Sequence, residues 1–247
     1  MKLTLSEAKY FKDSIAIISE LVNEATFKIK PEGLEMIAMD PANVAMVSFK
    51  LLSSCFSEYK IDKATNISIN LNNLKQILRR AKPEDVLTLS LGEGKLEITL
   101  KSGTTRKFSL PLIDIDEKEK KRPDLKFPIS IKTASWILND AIEDVGIVGE
   151  SVSFSANPEK MMILAEGDLS KAEIEIMPDD KTRIDADTKD DIKAKYSVEY
   201  LKKMVAGSKI ADDVTIQFDK NYPLHLEFKA VDKVLLSFIL APRVDND

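Results

Sequence analysis

The chain has 247 residues, 44% of them hydrophobic and 31% charged, with 36 basic against 41 acidic side chains and a formal net charge of −5. That length and apolar content suffice for two domains of ordinary size, each with its own core, and the acidic balance excludes holding nucleic acid by bulk charge, so a nucleic-acid role requires a local basic face. A single cysteine, Cys55, excludes an internal disulfide, and no apolar run has the length of a membrane span or the form of a signal peptide, so an intracellular protein is expected.

In chain order, the first predicted element is an amphipathic helix from an N-cap at Ser6 to about Asn23, with Phe11, Ile15, Ile18 and Val22 as its buried stripe. Alternation at Ile67, Ile69 and Leu71 predicts a strand, followed by a short helix over Leu71 to Ala81. Strands through Leu87, Leu89 and Leu91 and through Leu96, Ile98 and Leu100 flank the turn Gly92-Glu93-Gly94. Asp114 to Asp124 is charged, carries Pro123 and has no periodicity, which marks a linker. The expected division is a first domain over 1–113, a connecting loop over 114–126 and a second domain over 127–247.

The second half repeats this order. A helix is expected from about Thr133 to Val145 with Trp136, Ile137, Ala141 and Val145 inward, and another over Ser197 to Ser208. Strands follow through Val214, Ile216 and Phe218, then Leu224, Leu226 and Phe228. The halves correspond residue by residue: Pro31 and Pro158 are 127 apart, as are Glu32 and Glu159, Ala38 and Ala165, Val47 and Ile174, and Phe49 and Ile176. The same shift matches Leu74-Lys75 to Leu201-Lys202 and Asp85 to Asp212, then drifts to pair Leu96-Glu97-Ile98 with Leu226-Glu227-Phe228, and Phe108 and Leu110 with Phe238 and Leu240. Two copies of one domain, richer in strands than in helices, predict an α+β fold with helices gathered on one face of antiparallel sheets. Tandem equivalent units favour a symmetric assembly or clamp over a cleft enzyme.

Catalytic signals are absent from the motifs. His225 lies in an alternating strand with no nucleophile motif, so it reads as structural. The stretch Asp179, Asp180, Asp185, Asp187, Asp190 and Asp191 is interrupted by Lys181, Arg183 and Lys189, so it reads as a solvated loop; a metal-dependent enzyme would have to rest on Asp185 and Asp187. With no phosphate-binding glycine loop, C-x-x-C or H-E-x-x-H, no catalytic residue, metal or cofactor is expected.

Basic residues concentrate on the helices: Lys9 and Lys12 on the first, Lys75, Arg79 and Arg80 on the second with Lys82 beyond, Lys202 and Lys203 on the fourth with Lys209 after it. They form either an ordinary solvated face or a phosphate-facing surface. The third helix inverts the pattern with Asp140, Glu143 and Asp144. Head-to-tail assembly would set Arg80, Lys82 and Arg106 of one copy against Asp140, Glu143 and Asp144 of the next, with Thr104 to Leu110 and Lys171 to Met177 pairing as sheet edges; the alternative is an acidic helix facing solvent.

Five segments, Val22-Asn23-Glu24-Ala25, Gly33-Leu34, Met39-Asp40-Pro41-x-x-Val44, Leu110-Pro111-Leu112-Ile113-Asp114 and Leu240-Ala241-Pro242-Arg243-Val244, lie in this order along the chain. Together they resemble the sliding clamps of the proliferating cell nuclear antigen family in its archaeal form. The resemblance implies a DNA-clamp fold and a homotrimeric ring around duplex DNA, helices lining the hole and sheets outside. It implies a non-enzymatic processivity factor for DNA polymerase, met also by a clamp loader, flap endonuclease and DNA ligase through short peptides, cytoplasmic and nucleoid-associated if archaeal.

By the same resemblance Lys12 and Arg79 fall at hole-lining basic positions, while Gln76 and Ala206 stand where other members carry lysine. Lys9, Lys75, Lys202, Lys203 and Lys209 join the DNA-facing set from helix position. The peptide pocket maps to Met39, Val44, Leu125, Pro223, Ile239, Ala241 and Pro242, and the connecting loop carries Lys118, Lys120 and Arg122 where related clamps often place apolar residues. The alternatives are a checkpoint-type clamp subunit and a protein-interaction scaffold that does not encircle DNA.

Overall fold

The computed structural model describes residues 1–115 and 120–243. Lys118 of the basic connecting loop and Val244 of the terminal motif therefore lie outside the described residues. The chain divides into two compact units, one built from Met1–Pro41, Val47–Arg122 and Ala230–Leu236, the other from Ala42–Met46, Pro123–Lys229 and Ser237–Asp247. Among the described residues no helix is long and apolar enough to cross a membrane.

In chain order the first copy reads β1 (Lys2–Leu5), α1 (Lys9–Ile18), β2 (Glu24–Lys30), β3 (Gly33–Met39), β4 (Ala45–Leu52), β5 (Glu58–Lys60), β6 (Thr65–Asn70), α2 (Leu71–Leu78), β7 (Val86–Gly92), β8 (Lys95–Lys101) and β9 (Thr105–Pro111). Its strands are ordered β5-β1-β7-β8-β9 and β4-β3-β2-β6, and the ladders are antiparallel. Period-two alternation turns Leu3, Leu87, Leu89, Ile98 and Leu100 of one sheet and Phe27, Ile29, Ile67 and Ile69 of the other into the core. The β2–β3 turn requires Gly33: its φ is 145°, and a Cβ there would stand 2.1 Å from the Leu51 carbonyl oxygen.

The helices are shorter than the sequence predicts. Ser6 is not a cap; Ala8 occupies the cap position of α1 with no side-chain hydrogen bond, and the helix ends at Ile18. Val22 is still buried, because the next turn closes with its N–H donating to the Ile18 carbonyl at 3.0 Å. Leu71 opens α2 instead of closing a strand, since the Asn70 side chain accepts the Asn73 N–H at 3.0 Å and fixes the start there. Leu91 is 36% exposed, so the inward alternation of β7 stops at Leu89.

The second copy reads β10 (Ile129–Ala134), α3 (Ser135–Val145), β11 (Ser151–Ala156), β12 (Met161–Glu166), β13 (Lys171–Ile176), β14 (Arg183–Ala186), β15 (Ile192–Ser197), α4 (Val198–Val205), β16 (Asp213–Phe218), β17 (Leu224–Ala230) and β18 (Val234–Leu240). Its strands run β13-β12-β11-β15 and β14-β10-β16-β17-β18. The expected α+β fold, antiparallel sheets with two helices per copy, is what the structure has.

Two predicted details change. Trp136 is 55% exposed and Ile137 half-buried; the buried stripe of α3 is Leu138, Ala141, Ile142 and Val145. The phase is set at the helix start, where the Ser135 N–H donates to the Asp212 carbonyl at 2.7 Å and its hydroxyl to that of Ala211, turning Trp136 outward. The repeat also drifts less than expected. Leu87 faces Leu100 and Leu89 faces Ile98, while Val214 faces Phe228 and Ile216 faces Leu226, so Phe228 is the counterpart of Leu100, not Ile98. After α4 a 3-10 turn, Ala206–Lys209, passes over Phe228 so closely that a Cβ on Gly207 would lie 2.4 Å from the ring.

Candidate nucleic-acid interface

Within the first unit α1 packs on α2, and within the second α3 packs on α4. Each pair buries its apolar stripe and turns its charges outward, but the seven basic residues assigned to DNA are not equivalent. Lys9, Arg79 and Lys209 are exposed and make no ion pair among the described residues. Lys12 is half-buried, and its Nζ donates to the Ala81 carbonyl at 3.0 Å, tying α1 to the end of α2. Lys75 pairs with Glu20, Lys202 with Glu143 at 3.7 Å and Lys203 with Glu199 at 2.8 Å. Lys203 also lies over the Tyr200 ring at 5.5 Å. Such surface pairs are worth about 0–1 kcal/mol each, so a phosphate can replace the carboxylate. Glu20 as a partner could not be read from its own segment, which shows only a charged residue near a helix end.

The proposed assembly residues also separate. Arg80, Lys82, Asp140, Glu143 and Asp144 are exposed. Arg106 is different: its guanidinium is held within its own unit by Asp85 and donates to the Arg80 carbonyl at 2.8 Å. The Asp85 carboxyl is fully covered and sits at about pKa 2, chiefly through the Lys82 N–H, then the Ser102 side chain, with Arg106 adding to both. Its second oxygen and the Arg106 Nε have no partner among the described residues. Arg106, a residue of β9, is therefore anchored within its own unit by Asp85.

Both candidate pairing strands, β9 and β13, are the last in their sheets. Beside β13 a groove of about 430 Å3 is lined by Trp136, Ile137, Ile174 and Met177 and rimmed by Asp140 and Asp144. Trp136, placed in the core by periodicity, instead lines this groove.

The peptide-pocket positions are partly exposed apolar residues. In the second unit the Ala241 N–H donates to the Val44 carbonyl at 2.9 Å, joining the 42–46 segment to the chain end. Leu125, Pro223, Ile239, Ala241 and Pro242 are half-buried in the same unit, and Met39 is half-buried at the end of β3 in the first. Next to Pro223 the sequence reading missed an aromatic cluster. Phe127 stacks on His225 with centroids 6.0 Å apart and meets Tyr222 edge-on at 5.9 Å. His225 is buried, with Nδ1 2.8 Å from Gln217 Oε1, a packing role consistent with its expected one.

The acidic stretch, expected as a solvated loop, is partly strand, because β14 pairs with β10 and sets Asp185 opposite Ser130. Asp179 Oδ1 accepts the Lys181 and Thr182 N–H groups at 2.9 and 2.7 Å, and Asp185 accepts from Arg183 at 2.9 Å. Among the described residues no three metal-type ligands gather. The Cys55 thiol donates to the Lys233 carbonyl at 3.3 Å, and burial pushes its pKa up.

Residues 1–120 match the family described as proliferating cell nuclear antigen, N-terminal domain, and residues 121–243 match the C-terminal domain of the same family. The chain belongs to the proliferating cell nuclear antigen family. It is 37% identical over 246 residues to the DNA polymerase sliding clamp of Pyrococcus horikoshii, and likewise to that of Pyrococcus furiosus, covering 99% of both chains in each comparison. A crystal structure of a proliferating cell nuclear antigen from Thermococcus kodakaraensis superposes with a TM-score of 0.91 at 30% identity, over 98% of this chain and 99% of that one. The archaeal character suggested by the motifs is thus carried by full-length relatives, and the two-domain clamp fold of the proliferating cell nuclear antigen family is the fold of this chain.

Proposed function

We infer that this chain is a DNA polymerase sliding clamp, a processivity factor that encircles duplex DNA. The observation that carries this is the full-length match to archaeal clamps. The exposed cations Lys9, Arg79 and Lys209 on or beside the helices support it, because an acidic protein needs a local basic face to meet phosphate. A closed ring is retained by topology, so its phosphate contacts have only to be weak and replaceable, and no base needs to be read. Such a clamp tethers enzymes without itself catalysing a step, and works inside the cell where the DNA is.

The ring is a homotrimer in this reading, with domains over 1–113 and 127–247 joined by the loop 114–126. Opposite charges on one chain, Arg80 and Lys82 against Asp140 and Asp144, suit head-to-tail contact between identical copies. Exposed ion pairs are weak, so pairing of β9 with β13 and filling of the groove at Trp136 and Met177 carry much of the contact. Polymerase, clamp loader, flap endonuclease and ligase dock short peptides at Met39, Val44, Leu125, Pro223, Ile239, Ala241 and Pro242.

The test is retention. Loaded protein should remain on nicked circular DNA through a high-salt wash and slide off once the circle is cut. Equal loss from circle and line would leave only a scaffold that does not encircle DNA.

A further inference from the structure

We propose that the second unit carries a cationic socket for acidic side chains, placed so that partner peptides with acidic flanks are preferred. The inference rests on the peptide-docking reading above. A cavity of about 540 Å3 opens beside β15, lined among the described residues by Lys193, Lys195, Lys220 and Arg243 with Ser153 and one acid, Glu166.

Three local features assemble it. Lys193 and Lys195 are alternate residues of β15, so both project from one face of the sheet, opposite Ser155 and Ser153 of β11. Lys220 is delivered by the tight turn before β17, where its N–H donates to Asp219 at 2.6 Å and Asn221 takes a φ of 51°. Arg243 is fixed by its own backbone, whose N–H donates to the Lys195 carbonyl at 2.7 Å, so the chain end lies along β15. The one lining acid, Glu166, also lies 3.9 Å from Lys171. Among the described residues the wall thus carries four cations against one acid, in a protein of net charge −5.

The position decides the ligand. Pro223 follows the turn that supplies Lys220, and Ala241 and Pro242 directly precede Arg243. A peptide anchored at those apolar residues would carry its flank into the socket. Carboxylates on flexible side chains can enter a concavity of this size and take charge-assisted hydrogen bonds from lysine, arginine and serine. A duplex presents its phosphates on a convex rod, and the socket lies on a sheet face instead of on α3 or α4.

The test uses the full chain and three fluorescent peptides sharing the same apolar anchor residues, with flanks of Asp-Asp-Asp, Ser-Ser-Ser or Lys-Lys-Lys. In dilute salt the acidic peptide should bind about tenfold more tightly than the basic one, as expected of a few partly screened ion pairs. The preference should shrink as salt rises and vanish in a Lys193→Glu, Lys220→Glu double variant, whose exposed positions leave the fold intact. Equal binding of all three peptides to the wild type would overturn the socket while leaving the anchor pocket standing. No binding by any of them would remove the pocket reading first and the socket with it. Displacement of the acidic peptide by short duplex DNA, abolished in the same double variant, would make the socket a phosphate site and overturn the peptide assignment.

Discussion

The two helix pairs are built alike and charged differently. Leu74 on α2 and Leu201 on α4 stand 127 residues apart and are both fully buried, whereas α2 ends on exposed Arg79 and Arg80 and α3 displays Asp140, Glu143 and Asp144. Packing constrains a buried position from all sides, so both copies retain an apolar residue of similar volume there. An exposed position is constrained only by what it meets, so the solvent faces were free to take different electrostatic roles.

The sharpest test of the shared part is the largest effect. Leu74→Ala and Leu201→Ala should each destabilise by about 2–5 kcal/mol, read from denaturant unfolding of the full chain. A cost in that range at one site and none at the other would break the equivalence of the copies.

Next comes Asp85, a buried acid whose counterpart in the second copy, Asp212, is exposed. Asp85 has its pKa depressed to about 2 in the folded chain, against about 3.9 for an unfolded aspartate. Its contribution is therefore present above about pH 4 and lost as pH falls toward 2. Asp85→Asn should lower the melting temperature at neutral pH and flatten the fall in stability across that acid window. Asp212→Asn, at the equivalent but exposed position, should leave thermal unfolding nearly unchanged.

Smaller is the loss from reversing the assembly charges. Arg80→Glu with Lys82→Glu should weaken association by about tenfold in dilute salt, seen as a lower solution mass, and Asp140→Lys with Asp144→Lys should restore it. An unchanged mass at every salt concentration would exclude these pairs from the contact.

The smallest effect separates the cations that have a carboxylate partner from those that have none among the described residues. Arg79→Gln and Lys209→Gln should each reduce the salt dependence of DNA binding by nearly one phosphate equivalent per site. Lys203→Gln, which gives up an existing pair with Glu199, should change it less.

Much of the fold was legible because burial imposes a period. The inward residues Ile67, Ile98, Val214 and Leu226 are those that alternation selects. The ends of elements were not, because they depend on single hydrogen bonds: Ser6 caps nothing, while Asn70 caps α2. Trp136 was misplaced because a large apolar side chain on an amphipathic helix looks the same whether it faces a core or a groove. The pairing of Arg106 with Asp85 was not legible, because the two lie 21 residues apart and only folding brings them together. Nor does sequence order reveal that Lys220 and Arg243 share a cavity with β15, since only folding brings the three segments together.

The paired lysines of α2 and α4 bear on friction. A lysine that leaves a phosphate for bare solvent loses its partner outright, so each contact would be a small well in the path of a moving duplex. Lys75, Lys202 and Lys203 each have a carboxylate to return to. In the clamp reading the exchange would flatten those wells, and a track lined this way would resist lateral motion less than its count of positive charges implies.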